Sequence, residues 1–256
     1  MRRSVLKSRS RIYLYMAIGL NVLCFWGFFG TYFGPLLAGT EARFTHPVDQ
    51  PVIVHVHGWS FFLWYLLLLA QVALIATGRR ALHRTFGQAS MALVAIAFVT
   101  GCIIIPVNIY LGVRVTGSPL WPWFGLLILS AVFLFLIFYL LALKHRRNPE
   151  IHKRYMIVAS IAALGAAVFR ILGDLRGPDL LNVPIGNVLP MLLLLIPMLR
   201  DWRVEGRPHR VYVIGFVTLA VVNALTIALP HTPIWPPIET AFVNIGEAFL
   251  VFYGKS

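Results

Sequence analysis

The chain has 256 residues, of which 59% are apolar and 12% are charged, and its mean hydropathy is +0.80. A soluble domain carries about 25% charged and roughly 45–50% apolar residues, so the composition excludes both an ordinary soluble globule and a disordered chain. It predicts one integral membrane domain over residues 1–256, with room for seven or eight transmembrane helices of about 20 residues each.

Long, continuously apolar runs follow one another along the chain and predict an all-α polytopic bundle. An eighth run, at 238–253, is shorter, and it either spans the membrane with a polar face or lies in the outer interface. The sixth run contains Pro184, Pro190 and Pro197, which predicts a broken helix of the kind that transporters use. The seven long spans are predicted near 12–33, 53–76, 89–109, 121–143, 155–175, 183–199 and 211–229.

The basic residues predict the orientation. Most of the 22 Lys and Arg residues lie in the N-terminal segment and in loops 78–84, 144–154 and 200–210. Because cytoplasmic loops carry the excess of Lys and Arg, the N-terminus is predicted to be cytoplasmic, in a bacterial inner membrane. The net charge of +13 then reflects topology and contact with anionic lipid headgroups, and no nucleic-acid partner is predicted.

A short motif recurs at three of the predicted cytoplasmic loops. It consists of a histidine, a basic residue next to it and an aromatic residue three positions on. Each copy opens a helix that runs outward, so equivalent hairpins would bring the three histidines to one rim of the bundle. The motifs are His83-Arg84-Thr85-Phe86, His152-Lys153-Arg154-Tyr155 and His209-Arg210-Val211-Tyr212.

Three interpretations of this motif stay open. In the first, its cations anchor the topology and bind lipid phosphates. In the second, three helix N-termini and Arg84, Arg154 and Arg210 form an anion site. In the third, the neutral histidines bind a cofactor, either a b-type heme whose propionates pair with the neighbouring cations, or zinc or another divalent metal.

Histidines also open the second predicted helix, on the exterior side. His55 is a further candidate cofactor ligand, and His55 with His57 forms an HxH pair, a pattern common at metal sites. His46, Asp49 or His231 from the outer loops would complete such a site. Residues two apart on a continuous helix point about 160° away from each other, so the pair can bind one ion only where the segment is not helical.

Arg170 and Asp174 are charged residues within the fifth predicted span. Their spacing places them on one helix face, and charges at such depth normally face the bundle interior with a partner. The sequence therefore predicts an inward-facing pair, which is either structural or a contact for a substrate or quinone near the outer leaflet.

The segments HVHG, GRRALHRTFG, NPEIHKRYM and RPHRVY resemble motifs of a widespread family of uncharacterised bacterial multi-pass inner-membrane proteins. The resemblance covers Tyr13 to about Ile214 and implies the helical architecture without naming a reaction. The chain is more loosely similar to cytochrome b561-type bundles, which also have histidines near both membrane faces. Those bundles place paired ligands within the spans, whereas the cytoplasmic histidines of this chain lie at helix ends.

The leading functional prediction is a redox-active membrane protein that binds a b-type heme or works with quinone. One alternative is a membrane-embedded, metal-dependent enzyme that acts on a lipid-like substrate. Another is a non-catalytic accessory subunit that associates with other membrane subunits, or a transporter. The sequence contains no P-loop, GxSxG, HExxH or dinucleotide-binding motif that would point to a familiar catalytic class.

Overall fold

The structure is a computed structural model that describes residues 2–40, 51–117, 120–177, 179 and 181–253. The described residues form helices and their connections, with no strand among them, which confirms the predicted all-α bundle. The α-helices are α1 (Arg2–Phe28), α2 (Gly34–Ala38), α3 (Val52–Ala76), α4 (Arg80–Thr116), α5 (Leu120–Lys144), α6 (Pro149–Ala162), α7 (Gly165–Arg176), α8 (Asn182–Leu192), α9 (Leu195–Glu205), α10 (Arg210–Ala228) and α11 (Trp235–Ala248).

The chain is a multi-pass integral membrane protein. Six segments of the described residues are long and apolar enough to cross a bilayer, and the pair α6 and α7, bent by 42°, brings the number of candidate crossings to seven when it is counted as one span. Because successive crossings alternate in direction, the connections α3–α4, α5–α6 and α9–α10 lie at the same end as Arg11, which we call the inner end. The six segments are Arg11–Ala38, Val52–Ala76, Arg80–Arg114, Trp121–Lys144, Asn182–Glu205 and Arg210–His231.

The last helix, α11, is too short to be an eighth crossing. Its 14 residues rise about 21 Å, less than the roughly 30 Å of the hydrocarbon core. It packs on the outer half of α4, where the Tyr110 hydroxyl donates to Glu247 at 3.2 Å and Gly246 lies against the Pro106 carbonyl. The segment 238–253 therefore belongs to a short helix on the bundle surface and a following 3-10 turn.

The bend between α6 and α7 has no proline to cause it. In an unbroken helix the Leu164 N–H would donate to the Ser160 carbonyl, but here it donates to the Ile161 carbonyl at 3.1 Å. The Ser160 carbonyl instead accepts the Tyr65 hydroxyl at 2.8 Å, and the Trp64 indole donates to the Ser160 hydroxyl at 3.1 Å. Helix α3 thus satisfies polar groups at the break, as a membrane interior requires.

The predicted break in the sixth span is confirmed between α8 and α9, just after Pro190. The N–H groups of Leu193 and Leu194 bond to carbonyls three residues back instead of four. Both breaks border one cavity with room for about one water molecule. Its lining includes the polar side chains of Ser130, Asn187 and Asn223.

Candidate functional site

Two of the three motif histidines meet at the inner end. His83 lies in the first turn of α4 and His152 in the first turn of α6. Their ring centres are 6.5 Å apart and the rings are nearly perpendicular, at 86°. Nδ1 of His152 lies 2.8 Å from the Ala142 carbonyl at the end of α5. Since a carbonyl only accepts, Nδ1 carries the proton, and Nε2 of His152 keeps a lone pair.

Two buried polar atoms beside this pair lack partners among the described residues. Nδ1 of His83 and Oε1 of Gln71 are both buried without a hydrogen bond there. Gln71 belongs to α3, and its amide lies close to Gly87, one turn after His83 on α4. Buried polar groups are nearly always satisfied by protein, water or a ligand, so these two atoms have hydrogen-bonding capacity that the described residues leave unused.

The third motif histidine, His209, caps a helix instead of contacting the other two histidines. His209 is the N-cap of α10, and its Nδ1 accepts a hydrogen bond from the Val211 N–H at 3.2 Å. Ring contacts among the described residues join His83 to His152 but do not include His209. All three histidines thus lie at the inner end, where His83 and His152 share a ring contact and His209 caps α10.

Arg154, which follows His152 in the same motif, lies at the centre of a buried ion network. Its side chain is 2% exposed, pairs with the Glu150 carboxylate at 2.5 Å, and reaches Asp201 on α9 at 3.3 Å. Asp201 is 1% exposed and also accepts from Arg200 at 3.0 Å. The guanidinium lies over the Tyr212 ring, 5.6 Å from its centre. The network joins α6, α9 and α10.

The predicted anion site of three arginines is not formed. Arg154 is held by two carboxylates, whereas Arg84 and Arg210 are exposed at their helix ends. The Lys153 ammonium bonds to Glu150 at 2.7 Å and lies 4.7 Å from the centre of the Tyr13 ring. Arg84 and Arg210 therefore stay exposed at the inner ends of α4 and α10.

The outer histidines face different helices. The segment is helical from Val52, so the two imidazoles diverge. Nδ1 of His55 meets the Tyr32 hydroxyl at 2.5 Å, while Nδ1 of His57 lies 3.1 Å from both the Ala97 carbonyl and the Thr100 hydroxyl. The structure thus does not bring them together as one metal site. His46 and Asp49 lie outside the described residues, and His231 is exposed.

A multi-ligand metal site is absent from the described part of the chain. No three of its His, Cys, Asp or Glu side chains lie close enough to share one ion. His145, which also lies at the inner end, stacks on Tyr155 with ring centres 6.0 Å apart. The described residues therefore offer a pair of histidines and no larger ligand set.

Arg170 packs within the bundle and Asp174 lies nearer its surface. The Arg170 guanidinium is 4.4 Å from the centre of the Phe28 ring on α1, and it donates to the Ala166 carbonyl at 2.9 Å. Asp174 is exposed, and its carboxylate lies next to Gly30. The cation–π contact and the backbone acceptor therefore offset the free energy needed to bury the Arg170 charge.

Several residues of these sites were not singled out by the sequence. Glu150 precedes Arg154 by four positions, a spacing that favours an ion pair on a helix and so could have revealed the first partner. Asp201 is distant in sequence, and only the packing of α9 on α6 brings it to Arg154. Tyr32 reaches His55 through a π-helical turn, Phe29–Phe33, which no local pattern indicated.

No protein-family profile matches the chain, and neither a comparison with curated proteins nor one with solved structures found a match. Its function therefore has to be inferred from its own residues.

Proposed function

We propose that this protein is a redox-active membrane protein that holds a heme at its inner end between His83 and His152. One observation carries the proposal. The imidazoles of His83 and His152, from neighbouring hairpins, lie with their ring centres 6.5 Å apart. The buried Nδ1 of His83, which has no hydrogen-bond partner among the described residues, supports the same proposal.

The spacing of the pair suits a single metal ion. Imidazole nitrogens bind metals at about 2.0–2.1 Å, so two nitrogens on opposite sides of one ion lie roughly 4 Å apart and their ring centres lie farther apart. The 6.5 Å between ring centres is compatible with that arrangement. The contact of His152 Nδ1 with the Ala142 carbonyl is the kind of outer hydrogen bond that orients a metal-binding histidine.

The number of ligands favours a heme over a bare metal ion. A porphyrin fills four positions on iron and leaves two for the protein, whereas a zinc site takes three or four protein ligands. The described residues supply no group of three. Bound here, a heme would supply one-electron transfer. The exposed Arg84 at the same helix end supports this choice, because a guanidinium would pair with a propionate.

A visible spectrum of the purified protein, combined with metal analysis, tests the proposal. We expect a Soret band and about one iron per chain. We expect His83→Ala and His152→Ala each to lose the band, because each removes one of the two histidines that would hold the heme. His209→Ala is the matched control, since His209 caps α10 and makes no ring contact with the pair, so this variant keeps the band.

Folding has to be separated from ligation. Gel filtration and the melting temperature report whether each variant is folded, and His83→Gln keeps a polar side chain at this half-buried position. A featureless spectrum with no bound iron, after expression with added heme precursor, would rule out the proposal. Survival of the band in folded His83→Ala and His152→Ala would rule it out as well.

The two broken helices favour transport as a second candidate. Half-helix ends near the middle of a membrane are where transporters bind substrates, and here both breaks border a cavity with Ser130, Asn187 and Asn223 in its lining. Filling that cavity with Asn187→Leu would abolish a transport activity and leave the heme spectrum unchanged. Equal solute uptake by vesicles with and without the protein argues against this candidate.

A further inference from the structure

Three polar side chains from different helices line the small cavity between the two helix breaks. They are Ser130 on α5, Asn187 on α8 and Asn223 on α10. Asn223 is 7% exposed, and Ser130 lies near the middle of the crossing Trp121–Lys144. Among the described residues no charged side chain lines this cavity, so it is a neutral, polar site deep within the bundle.

The hydrogen bonds of these side chains leave their oxygen atoms available to an occupant. The Ser130 hydroxyl donates to the Leu127 carbonyl at 2.8 Å, and the Asn187 amide donates to the Val183 carbonyl at 2.9 Å. The Asn223 amide donates to the backbone carbonyl of Asn187 at 3.2 Å. No group of the described residues donates to either amide oxygen. Three oxygen acceptors therefore remain for whatever binds in the cavity.

The ends of two half-helices make the cavity more favourable for positive charge. Ile161 and Ala162, the last residues of α6, line it together with Met191 in the last turn of α8. None of its lining residues belongs to α7 or α9. Since a helix C-terminus carries roughly half a negative charge, both helix ends add to the effect of the side-chain oxygens.

We propose that this cavity binds a single dehydrated sodium ion through the oxygens of Ser130, Asn187 and Asn223. The space suits an ion of about the size of one water molecule. Calcium and magnesium are bound mainly by carboxylates, and the described lining has none. Unwound carbonyls and half-helix C-terminal ends hold sodium in membrane transporters, and the same kinds of group surround this cavity.

The buried Arg170 does not occupy the proposed site. Its guanidinium extends to the Phe28 ring on α1, 4.4 Å from the ring centre, whereas the cavity is lined by residues of α5, α6, α8 and α10. Sodium binding is also independent of the heme proposed at His83 and His152. It names an ion for the second candidate function, transport, and because binding is measured without flux, the two can fail separately.

Equilibrium binding of radioactive sodium to the purified protein in detergent tests the proposal. We expect saturable binding of about one ion per chain, displaced by unlabelled sodium chloride and at least tenfold less well by potassium chloride, because potassium is the larger ion. Sodium should also raise the melting temperature relative to choline chloride at equal ionic strength. The expected rise is about 3–6 °C when sodium is at ten times its dissociation constant.

A matched pair of serine variants tests the site itself. Ser130 and Ser60 each donate to the carbonyl three residues earlier, at 2.8 and 2.7 Å, but only Ser130 lines the cavity. We expect Ser130→Ala to weaken sodium binding at least tenfold by removing one oxygen ligand, and Ser60→Ala to leave it unchanged. Asn223→Leu, which removes a second oxygen, should abolish binding.

Gel filtration and the melting temperature in choline chloride show whether each variant is folded, and Ser130→Ala tests the site even where Asn223→Leu does not fold. Equal melting temperatures in sodium, potassium and choline chloride, with no saturable sodium binding, would mean that the cavity holds only water, and the proposal would be wrong. Sodium binding that is equally strong in Ser130→Ala and Ser60→Ala would place the ion elsewhere and overturn the site.

Discussion

Replacing Asp201 by asparagine should destabilise the inner end of the bundle, because it removes one of two carboxylates that pair with the buried Arg154. The two side chains are 2% and 1% exposed and lie 3.3 Å apart. Removing one partner of a buried ion pair costs about 3–5 kcal/mol. Glu150 still contacts Arg154, so the expected cost is near the lower limit, about 3 kcal/mol.

The melting temperature in one detergent measures this effect. For a protein of this size each kcal/mol shifts the melting temperature by about 2–4 °C, so the Asp201→Asn variant should melt about 6–12 °C lower. Asp179→Asn is the matched control, because Asp179 pairs with Arg176 at 3.7 Å while both side chains are more than 40% exposed. An exposed pair contributes about 0–1 kcal/mol, so this variant should melt within a few degrees of the parent.

A double substitution separates the ion pair from general packing. Arg154→Met together with Asp201→Leu removes both charges, so neither remains buried without a partner. Such replacements are often neutral or stabilising, so the double variant should melt above the Asp201→Asn variant. Equal shifts for Asp201→Asn and Asp179→Asn would refute the assignment of a buried, energetically coupled network.

Three further predictions concern the cap of α10, the break between α6 and α7, and the orientation of the chain in the membrane. Burial and a nearby arginine lower the pKa of His209. The neutral imidazole therefore contributes stability above about pH 6.5 that is lost as the pH falls through the lower, folded-state pKa. His209→Asn, which caps without titrating, should make the melting temperature less dependent on pH between pH 5 and 7, and an unchanged profile would contradict this. Tyr65→Phe leaves the Ser160 carbonyl unsatisfied at the α6–α7 break and should cost about 1–3 kcal/mol by thermal melting, whereas no shift would show that another group takes over. Cysteines placed at Arg147 and Arg203 should react with an impermeant reagent only from the cytoplasmic side, and labelling from the periplasm would reverse the predicted orientation.

The crossings were predictable because the bilayer imposes them directly on the sequence. A helix in hydrocarbon must be apolar over about 20 residues, and the predicted span 53–76 agrees with α3 within a residue. The prediction for the next span, 89–109, was too short, since α4 extends from Arg80 to Thr116. Hydropathy misses helix ends that carry charged residues, whereas the motif that begins at His83 was predicted to open a helix and does lie in the first turn of α4.

The break between α6 and α7 could not be predicted because its causes are distant in sequence. No proline marks it, and the segment reads as one apolar helix. A side chain at Gly165 would come within 2.5 Å of the Asn187 oxygen on α8, and the Ser160 carbonyl is satisfied by α3. Both contacts exist only after the helices have packed. The proline-marked break in α8–α9, by contrast, has a local cause and was predicted.

The three histidine motifs are alike in sequence, but their helices begin at different places relative to the histidine. α6 is capped by the Asn148 side chain, four residues before His152, which leaves that imidazole able to face His83. α9 ends with Gly206 as its left-handed C-cap, with φ of 73°. Only two residues separate that glycine from His209, and His209 itself is the N-cap of α10. If the proposed heme is bound, ligation and capping should therefore separate. His209→Ala should cost about 1 kcal/mol of stability, as for other N-caps, without changing the spectrum expected of that heme. His152→Ala should remove the spectrum while α10 keeps its cap.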